Sequence, residues 1–208
     1  NSDYSSYSIA PMTTDEINQV SRIKQLQVMI RHGSRTPYAA GLACWEGYDV
    51  QWSNCNVTEL MLPSDALYNY SSQSRPEKWL FRLIYDAWPN ELGGNCMTGQ
   101  LMHEGYLQEE ANGAALAELY LNNPNPSLNI FSTANFNDID QAQLYLRSDD
   151  EQRVLMSGQI MLAKFFDATE ENIVEWHTMD DAIDQIAPNT AACPALKGAS
   201  TAAYASNN

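Results

Sequence analysis

Residues 24 to 30 carry the pattern that most restricts the fold. Leu26, Val28 and Ile30 fall on one side of an extended chain and Gln25 and Gln27 on the other, with Met29 adding apolar character to the second side. Alternation with a period of two predicts a β-strand buried mainly on one face, or a central one. The strand runs without a spacer into Arg31-His32-Gly33-Ser34-Arg35-Thr36-Pro37, where Gly and Pro end regular structure. A buried strand that opens onto two arginines and a histidine calls for a covered sheet with a polar crevice at its carboxyl end.

The remaining chain supplies elements for such a sheet. Residues 1–23 read as an N-terminal extension, with Thr13 and Glu16 placed as a capping box for a short helix through Val20. Residues 38–75 read as a loop insertion. Pro76 then opens a helix with Trp79, Leu80, Leu83, Ile84 and Ala87 at helical spacing, stopped by Pro89. A longer helix is predicted over Leu101 to Leu121, with Leu107, Ala111, Ala114, Ala115, Leu119 and Tyr120 near one face. Leu128 to Phe131, Leu144 to Arg147 and Ile173 to Thr178 are candidate strands. Ser148 and Glu151 match a capping box for a helix through Phe166, with Val154, Leu155, Gly158, Met161, Leu162 and Phe165 inward. From Ala191 the tail is small and polar. Strands alternating with helices predict an α/β fold, a layered sheet flanked by helices, over residues 24–208.

Composition removes several classes of function. Eleven basic residues against 26 acidic ones give a formal charge of −15. That balance excludes a general nucleic-acid binder, which needs a basic face to neutralise phosphates, and it weakens attraction to an anionic membrane. No apolar run approaches the roughly 18–20 residues of a membrane-spanning helix. Four cysteines without a C-x-x-C pair, and three histidines, make a metal site improbable, and nothing calls for a cofactor. Two sequons occur, at Asn56 and Asn69. With charged residues at 18%, and a chain that opens on Asn1 as one cleaved from a leader would, a secreted or lysosomal/vacuolar protein is expected. Four cysteines allow three internal pairings. Cys44 and Cys55 bracket the insertion and are the expected small-loop disulfide.

Seven arginines are present, and four of them lie in two short segments, Arg31 with Arg35 and Arg147 with Arg153. Both segments follow a predicted strand. Arginine offers a planar fork of donors matched to phosphate or carboxylate oxygens. Clustered guanidinium groups repel one another until an anion binds between them, so an acidic chain that concentrates its few arginines at strand ends is built for an anion. The helix predicted to start at Ser148 adds unpaired N–H groups. His32, between Arg31 and Gly33, is a nucleophile when neutral, and flanking guanidinium groups disfavour the imidazolium. The bland alternative is a basic surface turn, and spacing alone leaves the two even. For Arg153, an ion pair with Asp149 or Asp150 ranks ahead of direct anion contact.

Arg31-His32-Gly33-Ser34-Arg35-Thr36-Pro37 resembles the R-H-G-x-R-x-P motif of the histidine acid phosphatases, the branch of the histidine phosphatase superfamily that includes lysosomal and prostatic acid phosphatases and phytases. Cys96-Met97-Thr98-Gly99-Gln100-Leu101-Met102-His103-Glu104-Gly105 is similar to the family's C-x-x-G-Q-L-T-x-x-G segment, with Met102 in place of Thr. Tyr145-Leu146-Arg147-Ser148, with Asp150, Arg153 and Leu155-Met156-Ser157, resembles Y-I-R-S-T-D-x-x-R-x-L-M-S. Trp176-His177-Thr178 and Cys193-Pro194 resemble later landmarks.

The resemblance implies that His32 is the nucleophile that becomes phosphohistidine. It makes Arg31, Arg35 and Arg147 phosphate ligands that stabilise the in-line transition state, with Arg153 a second choice, and it implies a small phosphomonoester substrate and no metal. The family completes its site with a downstream histidine and acid, usually adjacent as His-Asp, and that pair does not occur here. The chain therefore resembles the family's N-terminal half. A second polypeptide carrying the C-terminal half, truncation, and a catalytically inactive binding or structural relative are the three explanations, with assembly into a homo-oligomer left open. Lys78 and Lys197 read as solvated surface charges, which tilts the expected substrate toward simple phosphomonoesters over phytate.

Overall fold

Residues 13–19, 22–38, 51–53, 55, 57–60, 80–83, 92–167, 174–186 and 188–206 are described by the structure, a computed structural model. The chain divides into two units, Asn1–Gly33 with Glu104–Asn208, and Ser34–His103.

In the first unit, helix α1 spans Thr14–Gln19. Its start is the predicted capping box: the Thr13 N–H donates to Glu16 Oε2 at 2.7 Å and the Glu16 N–H to Thr13 Oγ1 at 3.3 Å. Residues 24–30 form no ladder among the described residues. Leu26 and Ile30 are half-buried, whereas Val28 is exposed and Met29 almost wholly so. The alternation is present in the sequence, but a strand needs a neighbour to satisfy its backbone, and the described residues provide only Ser127, whose carbonyl accepts from the Ile23 N–H at 3.0 Å.

The core of this unit lies between two helices, α2 over His103–Tyr120 and α3 over Gln152–Phe165. Leu116, Ala117, Leu121, Phe136, Ile139, Phe165 and Phe166 form one buried cluster. The Phe166 ring meets Phe136 and Phe165 edge to face at centroid distances of 5.0 and 4.8 Å, a geometry that aligns ring edges with ring faces. Close helix approach is set by Gly113, where a Cβ would stand 2.9 Å from the Lys164 Cβ. This displaces the expected inward face of α2. Gly105, Glu109, Gly113, Leu116 and Ala117 are buried, while Leu107, Ala111 and Ala114 face solvent. The small glycines decide the contact, which apolar spacing alone did not show.

Three short 3-10 turns, at Pro126–Leu128, Phe136–Asp138 and Gln141–Gln143, connect α2 to the next segment. Each begins with an Asn or Asp whose side chain accepts from the N–H two residues on. Leu128, expected in a strand, closes the first of them. The two later candidate strands do meet, at a single parallel bridge between Arg147 and His177. Helix α4 covers Pro194–Ser206, within the small, polar tail for which no element was expected. Proline at the first helical position and a run of alanines explain it.

The second unit carries a two-stranded antiparallel sheet, β1 at Val57–Leu60 and β2 at Leu80–Leu83. β2 falls where a helix was expected and β1 lies inside the expected insertion. A short apolar run fits either element, and the non-local partner selects the strand. Cys55 is bonded to Cys96, with Cα atoms 5.5 Å apart and 41 residues of separation. This corrects the expected Cys44–Cys55 pairing: bracketing in sequence says nothing of which sulfurs fold together. Cys44, Asn56, Asn69 and Lys78 lie outside the described residues.

Two measurements check this description. A non-reducing peptide map joins Cys55 to Cys96, and the Cys55→Ser/Cys96→Ser variant loses stability, by about 4 kcal/mol if the entropy of closing a loop of this length dominates. Glu109, only 3% exposed and accepting from Asn112 Nδ2 at 2.9 Å, is pushed above its ordinary carboxylate range by burial. A raised folded-state value stabilises at low pH and that contribution is lost as pH rises through it. Glu109→Gln therefore raises the melting temperature at neutral pH, and the gain vanishes in acid.

Candidate functional site

The site is built from the segment that follows the predicted first strand. His32 Nδ1 lies 2.8 Å from the Gly33 carbonyl oxygen. A carbonyl only accepts, so Nδ1 carries a proton, and in the neutral ring the lone pair belongs to Nε2. The next backbone group is fixed by α3: the Gly33 N–H donates to Ser157 Oγ at 3.0 Å, and Ser157 Oγ donates to the Arg153 carbonyl at 2.6 Å. Ser157 is fully buried, so both bonds are made away from water. Gly33 also packs on the backbone of α2, where a Cβ would fall 2.7 Å from the Gly105 Cα. Glycine is required here by close approach.

Arg147 stands on the parallel bridge, with the His177 N–H donating to the Leu146 carbonyl at 2.9 Å and the Ser148 N–H to the His177 carbonyl at 3.1 Å. Its Nη2 donates to Asp184 Oδ1 at 2.7 Å. Asp184 Oδ1 also accepts from the Ile186 N–H at 2.9 Å. That backbone bond, followed by the Arg147 guanidinium, outweighs burial and holds the Asp184 carboxyl below its ordinary range. The carboxylate therefore persists into acid solution, and the ion pair is lost only as pH falls through that lowered value. The Tyr145 and His177 rings stack beside the bridge at 4.8 Å.

Arg153 Nη1 pairs with Glu151 Oε2 at 2.8 Å. An ion pair was the favoured expectation for Arg153, but Glu151 is the hydrogen-bonded acid and Asp149 acts only through longer-range attraction. The Ser148 capping box does not form. Helix α3 starts at Gln152 with Glu151 as its cap residue and no side-chain cap bond, because Glu151 is drawn to Arg153 and Ser148 Oγ accepts instead from Trp176 Nε1 at 2.9 Å. The helix N–H groups expected at Ser148 consequently begin later in the chain. Trp176 is the residue sequence reasoning used only as a landmark. Its ring covers Gly158, where a Cβ would fall 2.6 Å from the indole.

The second unit holds Arg35, whose Nη1 donates to the Thr36 carbonyl at 2.8 Å and whose guanidinium lies over the Tyr38 ring, 4.6 Å from the centroid. Here two of the recognised motifs are laced together. Arg35 bridges Leu101 antiparallel, the Met102 N–H donates to the Ser34 carbonyl at 2.9 Å, and the buried Thr36 hydroxyl donates to the Met97 carbonyl at 2.7 Å. Met102 takes part through its backbone, which is indifferent to the change from Thr. The structure thus ties Arg31-His32-Gly33 to the Arg153–Ser157 turn, and separately ties Ser34–Pro37 to Met97–Met102. Among the described residues no group of three His, Cys, Asp or Glu is placed to hold a metal, and no helix is long and apolar enough to cross a membrane.

A family model described as histidine phosphatase superfamily (branch 2) matches residues 22–206. The chain belongs to that superfamily. Counting factor 60 from Dictyostelium discoideum is 30% identical over 199 residues, covering 91% of this chain and 45% of that protein. The chain thus spans about half the length of this curated relative.

Gly33→Ala tests the packing directly. The added methyl must displace the backbone of Gly33 or Gly105, and overpacking of this kind costs typically about 1–3 kcal/mol. Thermal denaturation should show that loss, and an unchanged melting temperature means the two backbones are not in contact.

Proposed function

We propose that the protein is a phosphomonoester hydrolase of the acid phosphatase type, working through a phosphohistidine on His32. The observation that supports this best is the 2.8 Å contact between His32 Nδ1 and the Gly33 carbonyl, which fixes a proton on Nδ1 and so makes Nε2 the nucleophilic nitrogen of the neutral ring. In the first step Nε2 forms the bond to phosphorus as the bond to the ester oxygen breaks. The leaving alkoxide takes a proton from a general acid. Water then attacks phosphorus and gives its proton back to the conjugate base of that acid, the P–N bond breaks, and inorganic phosphate leaves with neutral imidazole restored. Arg31, Arg35 and Arg147 hold the phosphoryl oxygens, and Arg153 serves the loop through its carbonyl rather than the substrate through its guanidinium.

The general acid belongs to a part of the protein beyond this chain, a second polypeptide or the remainder of a longer one. The nearly complete exposure of Met29, on a segment without ladder partners among the described residues, supports a further layer on that surface. The Cys55–Cys96 bond supports an oxidising compartment, hence a secreted, lysosomal or vacuolar location. Simple phosphomonoesters remain the favoured substrates, because the chain has few basic residues to spare for a polyphosphorylated one.

The competing reading is a catalytically inactive binding or structural glycoprotein. A relative called a counting factor, a name with no reference to hydrolysis, favours it. An aryl phosphate separates the two, because its phenolate leaves without a general acid. The native protein should release the phenol at acid pH, be inhibited by vanadate, and yield an acid-labile phosphoprotein on quenching. His32→Ala should abolish all three with its melting temperature unchanged. Tight vanadate binding without release or labelling would establish the binding protein.

A further inference from the structure

Resting on that phosphate-binding reading of Arg147, we infer that Asp184 is a positioning residue that orients the Arg147 guanidinium toward the substrate phosphate. Asp184 is 5% exposed, whereas the Arg147 side chain retains 25% of its exposure. The acid is therefore the fixed member of the pair and the guanidinium the accessible one. Only Nη2 of Arg147 is engaged, and its Nε and Nη1 have no hydrogen-bond partner among the described residues. A guanidinium held at one corner presents its remaining donors in a set plane, which is the arrangement an oxyanion needs.

The turn that carries Asp184 is built without help from Arg147. The Ile183 and Asp184 N–H groups both donate to the Asp180 carbonyl at 2.9 Å, and the Ala182 N–H to Asp180 Oδ1 at 2.9 Å. Asn189 Nδ2 donates to the Asp181 and Asp184 carbonyls at 2.7 and 3.0 Å. Asp184 Oδ2 is buried with no hydrogen-bond partner among the described residues. Asp184 Oδ1 serves the turn as well, by accepting from the Ile186 N–H, but a neutral amide oxygen would do that equally, whereas a buried anionic oxygen is costly unless a cation balances it. Arg147 is that cation. The carboxylate in return lowers the freedom of a long side chain, whose ordering phosphate binding otherwise has to supply.

Binding of inorganic phosphate and of vanadate to the native protein, measured by titration calorimetry, tests the assignment through a double-mutant cycle. Asp184→Asn keeps the shape and the acceptor for the Ile186 N–H while removing the charge. It should weaken phosphate binding about tenfold, corresponding to 1.4 kcal/mol. In an Arg147→Ala background the same change should have no further effect. Equal weakening in both backgrounds, or unchanged binding by the single variant, overturns the positioning role while leaving the phosphatase reading intact. Absence of phosphate and vanadate binding in the unaltered protein overturns both. If Asp184→Asn does not fold, Asp184→Glu replaces it in the cycle. That variant keeps the charge and moves it by one methylene, and the same coupling to Arg147 is expected.

Discussion

The backbone of Gly33 lies where no side chain can, between the Ser157 hydroxyl and the backbone of Gly105. That contact governs the first unit. Because the Gly33 N–H is spent on a buried hydroxyl, the residue before it cannot rotate freely, and the imidazole of His32 is left with the Gly33 carbonyl as its near acceptor. The same hydroxyl closes on the Arg153 carbonyl one turn back along α3. One serine thus transmits the placement of a packed helix to the loop of the candidate site, and the helix is in turn fixed by the phenylalanine cluster at its far end. Stability generated in the core is converted into precision at the loop.

A second constraint is electrostatic. The chain carries 15 more acidic than basic charges, and three arginines of the two clustered segments are each held by side chains of defined type. Arg147 meets Asp184, Arg153 meets Glu151, and Arg35 lies over Tyr38. These partners differ in consequence. Glu151 is itself a helix-cap residue on the surface of α3, and its pair with Arg153 occupies a guanidinium that motif spacing had offered as a phosphate ligand. Asp184 is buried, and engages one corner of Arg147 only. An excess of acid in the sequence therefore becomes, at these two points, a way of fixing how much of each guanidinium is left exposed.

Much of the candidate site was legible in the residues themselves. The Arg-His-Gly turn and an acidic partner for Arg153 follow from residue types at short separation, although the acid is Glu151 and not the expected Asp149 or Asp150. The Thr13–Glu16 box formed because both partners lie within one turn and nothing else competes for them. The Ser148–Glu151 box has the same spacing and did not form, because Trp176 and Arg153 offered each member a better partner. The inward face of α2 was misjudged for a related reason. Apolar residues mark a face that prefers burial, while glycines mark where another backbone comes near, and the second effect prevailed at Gly105 and Gly113.

What the sequence determined by itself was local: the two long helices, several of the turns, and the family those motifs define. Such features depend on neighbours a few residues apart, whose distances the covalent chain already limits. Tertiary structure alone decided that Cys55 joins Cys96, that Leu80–Leu83 becomes a strand beside Val57–Leu60, that Ser157 reaches Gly33 across 124 residues, and that Asp184 reaches Arg147 across 37. Each of these is a meeting of distant segments. Its free energy depends on shape and burial shared by both partners, and neither partner's local sequence contains that information.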